Sequence, residues 1–507
     1  MAVGILHRVA AAIAALVAVA GLALSAPATA EAPAHARAVR ARADAAGLVG
    51  GQVEVVQTNA SLSEALTPLP AIPFSTAPAS GIPIIHVDDG ARYQHFGGVG
   101  ATMTDSSAWL LHHELRPGTS NALMDDRFGS GGIRLSFLRV PMGASDFTVH
   151  GRPYTYDDRP RGKSDPRLLH FSVAHDRAYV LPTLRQAHRL NPRLKILANP
   201  WSPPAWMKTN HALYNHRDHA TLLRSAYGPL AEYFVKFLQA YAHQGVRVAA
   251  ITPQNEPLQG TGYPGMHFSA PVEARFVARY LRPALQAARF RTKIYGYDYS
   301  WGSQLQSYVP ALLSSAAGRA LAGIAFHCYY GNPTVMSQLH QLDPKLDQVV
   351  SECAQGITTW NTPELVISAM RNWASSVALW AVALDPSGGP VQPPNSGCNG
   401  CTGMVTISER AHSVSFSRDY FELGQVSRFV QLGAVRIDSE HFVTYPGIDT
   451  VTPGLDDVAF LNPDGSKVLV AYNNSAAPAS FDVETDGRYF AYTAPANAMT
   501  TFVWDRP

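Results

Sequence analysis

Between residues 94 and 428, apolar runs of strand length alternate with longer stretches whose apolar residues recur at spacings of three and four. The runs are QHFGGVGATMT, RLSFLRVPMG, LKILANPW, VRVAAITPQNE, TKIYGYDYS, LAGIAFHCYY, DQVVSEC and SVALWAVAL; the longer stretches include Gly228 to His243 and Pro271 to Ala288. A run that is apolar at nearly every position reads as a strand buried on both faces, as in a parallel sheet, and the longer period reads as an amphipathic helix covering it. Eight such strand–helix units predict an α/β fold, a (β/α)8 TIM barrel over residues 93–430 with its chemistry on the loops after the strands.

Past about Gly433 the pattern shortens to alternating runs such as AVRIDS, DVAFLN, KVLVAYNN, ASFDVE and TTFVW, separated by Asp-Gly and Asn-Pro turns. Period-two alternation with turn signals predicts an antiparallel β-sandwich over residues 431–507. Residues 51–92 carry similar pieces, QVEVVQT and IPIIHVDD, and no long helical pattern. They are expected to form the N-terminal part of the same all-β side domain, with the barrel inserted between its two segments. At the start, His7 and Arg8 precede an apolar run from Val9 to Leu24, and Ala28-Thr29-Ala30 follows. The run is shorter than the ~20 residues a membrane span needs, so residues 1–30 read as a signal peptide, 31–50 as a flexible arm, and the mature protein as secreted, extracellular and free of stable membrane insertion.

Composition narrows the partners. A 507-residue chain that is 46% hydrophobic can bury a sizeable core, and a formal charge of +2 with scattered Lys and Arg predicts no polyanion partner and no nucleic acid. Export makes the four cysteines candidates for disulfides. Cys398 and Cys401, in the loop sequence NSGCNGCTG, are expected to close a small disulfide; two cysteines are too few for a four-ligand zinc site. Cys328 and Cys353, at the ends of two neighbouring strands, are expected as buried free thiols rather than a pair. No cysteine has a base beside it that would make it a nucleophile.

The chemistry concentrates in two places. Gln254-Asn255-Glu256-Pro257 ends one apolar run and Val350-Ser351-Glu352-Cys353 ends another, each placing a lone carboxylate at a strand's C-terminal end. Burying a glutamate is costly without a partner or a task. Either one alone reads first as a salt-bridged side chain near a strand end. Two at one barrel mouth suit retaining glycoside hydrolysis, which needs an acid and a nucleophilic carboxylate about 5–5.5 Å apart. Repulsion from Glu352 should then keep the Glu256 proton above an ordinary glutamate pKa of about 4.3. Aromatic residues crowd the same strand ends: Trp201 and Trp206 in NPWSPPAWMKTN, Tyr329 and Tyr330 after His327, and Trp380. Such rings stack on sugar C–H faces while amides and charged groups bind hydroxyls; Trp206 reads equally well as core.

The ordered set FGGVGATMTDSS, LRVPMGASDF, NPWSPPAWMKTN, TPQNEP, FHCYY, VVSECAQG and ALWAVALDPSGGP resembles glycoside hydrolase family 30, from about residue 93 to the end. The resemblance implies a barrel with a β-sandwich and a double displacement that uses no metal and no cofactor. It makes Glu256 the acid/base and Glu352 the nucleophile. It matches Asp146 to a carboxylate that binds hydroxyls of the terminal sugar and Arg139 to an arginine beneath the site. Trp201, Asn255, Trp380 and Asn395 match further subsite contacts, Tyr329 a tyrosine beside the nucleophile and His327 a histidine lining the pocket. Cys328 stands where the family usually has an aromatic and Ala381 where an asparagine is common, so the sugar and aglycone stay open. The expected substrate is a β-linked glycan or glycolipid: a glucosylceramide-like lipid or β-1,6-glucan, with xylan or a β-fucoside as alternatives. A carbohydrate-binding protein on an inactive hydrolase scaffold is the rival reading, and the presence of both glutamates argues against it.

Overall fold

The structure, a computed structural model, describes residues 51–149, 152–215, 219–260, 262–302, 304–391, 398–447 and 450–505. The expected leader, the arm and Asn395 lie outside the described residues. Four strands precede the barrel: β1 (Gln52–Thr58), β2 (Thr67–Pro73), β3 (Ile84–His86) and β4 (Asp88–His95). The barrel is built from β5 (Gly98–Thr102), β6 (Phe137–Pro141), β7 (Lys195–Asn199), β8 (Ala250–Ile251), β9 (Lys293–Ser300), β10 (Gly323–His327), β11 (Asp347–Glu352) and β12 (Ser376–Leu379). Each of the eight runs supplies one strand, and the strands close into a parallel barrel in chain order. Phe137, Leu197, Tyr295 and Val349 pack in its interior. A Cβ on Gly100 would collide with the Phe137 carbonyl, which is why β5 carries glycine where it meets β6.

Helices cover the barrel as their periodicity predicts. Tyr227–His243 buries Leu230, Phe234, Phe237, Leu238 and Tyr241, one stripe at spacings of three and four. The stretch at Pro271 to Ala288 is helical but not uniform: Ala270–Phe276 and Arg282–Ala287 flank a π-helical segment, Val277–Leu281. Pro283 lacks the N–H that an unbroken ladder would use, and a wider turn absorbs the loss.

After the barrel come β13 (Ala383–Leu384), β14 (Val405–Ser408), β15 (Ser413–Phe416), β16 (Val435–Asp438), β17 (Leu455–Leu461), β18 (Lys467–Asn473), β19 (Ala479–Thr485), β20 (Arg488–Ala494) and β21 (Ala498–Trp504). The eighth apolar run therefore divides. Its first part is β12, whereas its end, β13, leaves the barrel to pair with β14 in a small separate sheet. Both chain ends build the side domain: one sheet runs β2-β1-β21-β18-β17-β16-β4, and a second runs β20-β19-β3. Val53, Ile85, Phe481, Phe490 and Trp504 fill the space between them. The proline-rich TPLPAIP segment forms β2 at the edge of the larger sheet, where an absent N–H leaves no ladder bond unmade.

One expectation about cysteines is overturned. Cys328 and Cys353 are not free thiols but a disulfide, with Cα atoms 5.2 Å apart. β10 and β11 are parallel neighbours and His327 pairs with Glu352, so the next residue on each strand stands beside the other. Cys398 and Cys401 form a second disulfide, with Cα atoms 5.5 Å apart.

Candidate active site

At the C-terminal ends of the strands, β6 delivers Arg139 into the barrel axis, fully buried. One arm of its guanidinium donates to Glu352, at the end of β11, and the other donates to Asn255 Oδ1 at 2.6 Å and Asp298 Oδ2 at 3.3 Å. Asp298 is itself saturated by Thr252 and Ser351 hydroxyls at 2.6 Å and the Asn199 amide at 3.0 Å. Burial raises its pKa, but Arg139, His327 and these donors outweigh burial and hold it well below the usual carboxylate range. The result is a fixed polar floor under Glu352.

Glu256 follows β8 on a segment that leaves the ladder after Ile251, and its φ of 44° places a side-chain-bearing residue in the left-handed region. Held strain of this kind costs about 1–3 kcal/mol and persists where the surroundings impose it. Its carboxylate accepts from the Tyr263 hydroxyl at 2.7 Å and lies 3.4 Å from His327 Nδ1. Tyr329 donates to Glu352 at 2.6 Å. One carboxylate oxygen each from Glu256 and Glu352 and one His327 ring nitrogen all lie within 4.8 Å of one another. The trio is compact enough to ligate a cation, yet Arg139 and Tyr329 already hold Glu352 and Tyr263 holds Glu256, so the protein itself supplies their partners.

The charge state of Glu256 departs from the expectation. Burial pushes its pKa up, but the hydrogen bond and charge of His327, with help from Tyr263 and Arg139, bring it below the ordinary glutamate value. His327 is pushed up to about 9: burial lowers it, and the surrounding carboxylates, Glu352 first, more than compensate. The expected repulsion by Glu352 falls instead on Asp146, which burial, Glu352 and Glu256 together raise well above the carboxylate range. Of the carboxyls around the cavity, Asp146 is thus the one whose surroundings most favour keeping its proton.

A cavity of about 340 Å³ opens over these groups, lined by Asp146, Trp201, Tyr263, Tyr329 and Trp380 beside the two glutamates. Trp201 and Trp380 lie 5.5 Å apart, and the Arg139 guanidinium sits 4.6 Å from the Trp201 ring. Tyr330, 51% exposed, and Ile357, 44% exposed, stand on its rim together with Cys398. Of the residues expected from sequence, Arg139, Asp146, Trp201, Asn255, Glu256, His327, Tyr329, Glu352 and Trp380 meet here. Trp206 does not; its indole donates to Asp157 at 3.0 Å, away from the cavity. Sequence reasoning missed Asp298 and Tyr263. Asp298 carried a signal, a lone carboxylate in the apolar run TKIYGYDYS, and Tyr263 carried none.

Comparison with known proteins adds to this geometry. The glycosyl hydrolase family 30 TIM-barrel domain matches residues 96–396, and the family's beta sandwich domain matches residues 433–502. An endo-1,6-beta-D-glucanase of Trichoderma harzianum is 33% identical over 427 residues, spanning 81% of this chain and 84% of its own length. The lysosomal acid glucosylceramidase of Mus musculus is 29% identical over 445 residues, 82% of each. The solved structure of an endo-beta1,6-glucanase superposes with a TM-score of 0.79 and 28% identity, over 90% of this chain and 100% of its own.

Proposed function

Because the chain belongs to glycosyl hydrolase family 30, we propose that it is an exported, retaining β-glucanase that cuts internal β-1,6 linkages, with Glu352 as nucleophile and Glu256 as acid/base. The observation that carries the reaction is the approach of the Glu256 and Glu352 carboxylates to within 4.8 Å, close to the spacing of retaining enzymes and well inside the ~6.5–9.5 Å that an inverting enzyme needs for its water. In the first step Glu352 attacks the anomeric carbon while Glu256 gives its proton to the departing glycosidic oxygen. In the second, Glu256 takes a proton from water as that water displaces Glu352. Arg139 and Tyr329 hold the nucleophile in place by donating to its carboxylate. Asp146 donates to a hydroxyl of the sugar in the cavity that Trp201 and Trp380 line. Similarity to the endo-1,6-glucanases supports the linkage, and Tyr330 offers the neighbouring glucose an exposed ring on the rim.

Three experiments test this reading. On a panel of soluble β-1,6-glucan, β-1,3-glucan, xylan and glucosylceramide, new reducing ends should arise within the β-1,6-glucan, with chains shortening from inside. Release of glucose from glucosylceramide with the glucan untouched would refute the substrate. Glu352→Gln should retain less than about a thousandth of the rate, a loss of roughly 4 kcal/mol of transition-state stabilisation. Glu256→Ala should ruin cleavage of glucan yet spare much of the first step on an activated aryl glycoside, whose leaving group needs little protonation. Equal damage on both substrates would remove Glu256 from the acid role.

A further inference from the structure

Lys and Arg number 40 against 38 Asp and Glu and are spread along the chain, the basis for expecting no polyanion partner. Folding gathers them. At the floor of the barrel, where the strands begin, lies a cavity of about 1300 Å³. Seven Lys and Arg side chains line it, among them Lys195 and Lys293 at the starts of β7 and β9 and Arg247, Arg291 and Lys345 on the connections leading into strands. Among the described residues lining it, one carboxylate opposes them, Asp347, and it is already engaged by Lys293 at 3.2 Å and the Tyr295 hydroxyl at 2.5 Å.

The dipoles of the surrounding helices account for only part of this. A helix favours cations within its last turn. Arg247, Arg291 and Lys345 stand beyond the helices that end at His243, Ala287 and Leu342. Burial, and then the neighbouring charge of Lys293, push the Lys195 pKa down; Asp347 pulls it back and Arg193 adds a smaller push.

We propose that this floor is a second glycan-binding site, taking an acidic polysaccharide whose uronate carboxylates pair with the guanidinium and ammonium groups. Carboxylates match the fork of arginine, and such charge-assisted bonds are the strong ones. A single small anion would leave most of the seven cations unpaired. Single-stranded nucleic acid needs open aromatic faces for its bases. Two of the rings lining this cavity are already engaged: Trp373 stacks on His340 at 3.3 Å, and Arg436 lies 3.6 Å over Tyr93. β11 starts with Asp347 at the floor and ends with Glu352 at the mouth, roughly 16 Å away at ~3.3 Å per residue. An acidic polysaccharide held at the floor would leave the mouth free for its own substrate.

Affinity electrophoresis of the whole protein through gels containing polygalacturonate tests the site, with gels containing single-stranded or duplex DNA alongside. Polygalacturonate should retard the protein, more weakly as salt rises. The variant R247E/R291E/K345E should bind at least tenfold more weakly while hydrolysing soluble glucan at the wild-type rate; R247Q/R291Q/K345Q serves if charge reversal prevents folding. An unretarded wild-type protein, retardation unchanged in a folded variant, or DNA retarding the protein as strongly as the uronate would each overturn the assignment.

Discussion

His327 is where the chemistry of single residues is most tightly coupled. Fully buried, it lies 3.4 Å from Glu256, 3.3 Å from Asp298 and 3.8 Å from Glu352. Its positive charge stabilises ionised Glu256 and so lowers that carboxyl's pKa. Acid catalysis ends when Glu256 loses its proton, so the charge of His327 moves the alkaline limb of kcat/KM to lower pH. His327→Asn should therefore shift that limb upward, even as the rate falls, and Glu256→Ala with an activated aryl glycoside should abolish it. A limb that stays in place in His327→Asn would separate the histidine from the acid. At this scale the sequence was informative where one residue broke a pattern. Glu256 and Glu352 ended apolar runs and were legible. Their charge states were not, because the field at Glu256 comes from His327 on another strand, and Tyr263 reaches it from a loop that no periodicity describes.

The strands β10 and β11 show what an element adds. All eight barrel strands could be read from apolar runs, since burial on both faces leaves a continuous signal. Register leaves none. Phe326 pairs with Val350, but a shift in the ladder sets His327 opposite Glu352 and thereby Cys328 beside Cys353. This irregularity makes the disulfide, where two free thiols were expected. It ties together the strand ends that carry Glu352, His327 and Tyr329. Cross-linking residues separated by 25 positions is worth about 3.5 kcal/mol in the chain-entropy model, more than the short loop closed by Cys398 and Cys401. Replacing Cys328 and Cys353 together by Ser should lower the thermal midpoint more than the same change at Cys398 and Cys401, and should reduce kcat on glucan as well. Thermal melts that rank the two double variants the other way would show that the barrel ends hold without the bridge.

The whole molecule depends on how the barrel meets the sandwich. The helix Thr362–Arg371 lies against β17, where Arg371 reaches Asp457 at 3.5 Å and the Ser439 carbonyl at 3.0 Å. Asp456 and Asp457 are both fully buried, and each keeps one carboxylate oxygen without a hydrogen-bond partner. That membership of residues 51–92 in this sandwich was legible follows from their strand patterning; that its seam would bury two adjacent carboxyls was not, because the sequence does not tell which face of DDVAF meets the barrel. Burial pushes Asp456 up to about 8 and Asp457 up to about 6, with Arg371 pulling both back. The sign follows from linkage. A carboxyl raised in the folded state favours folding while protonated, so its contribution is full below the unfolded value of about 3.9 and is lost as pH climbs through the folded one. The seam should therefore hold best in acid, and the thermal midpoint should fall as pH rises from about 4 to 8. Asp456→Asn keeps the shape without the ionisation, so its midpoint should decline less over the same range, which differential scanning calorimetry at stepped pH can measure. A variant whose midpoint falls as steeply as the wild type's would place the pH dependence elsewhere, with buried Glu273 and Glu422, pushed up to about 7 and about 8 by burial, as the next carboxyls to replace.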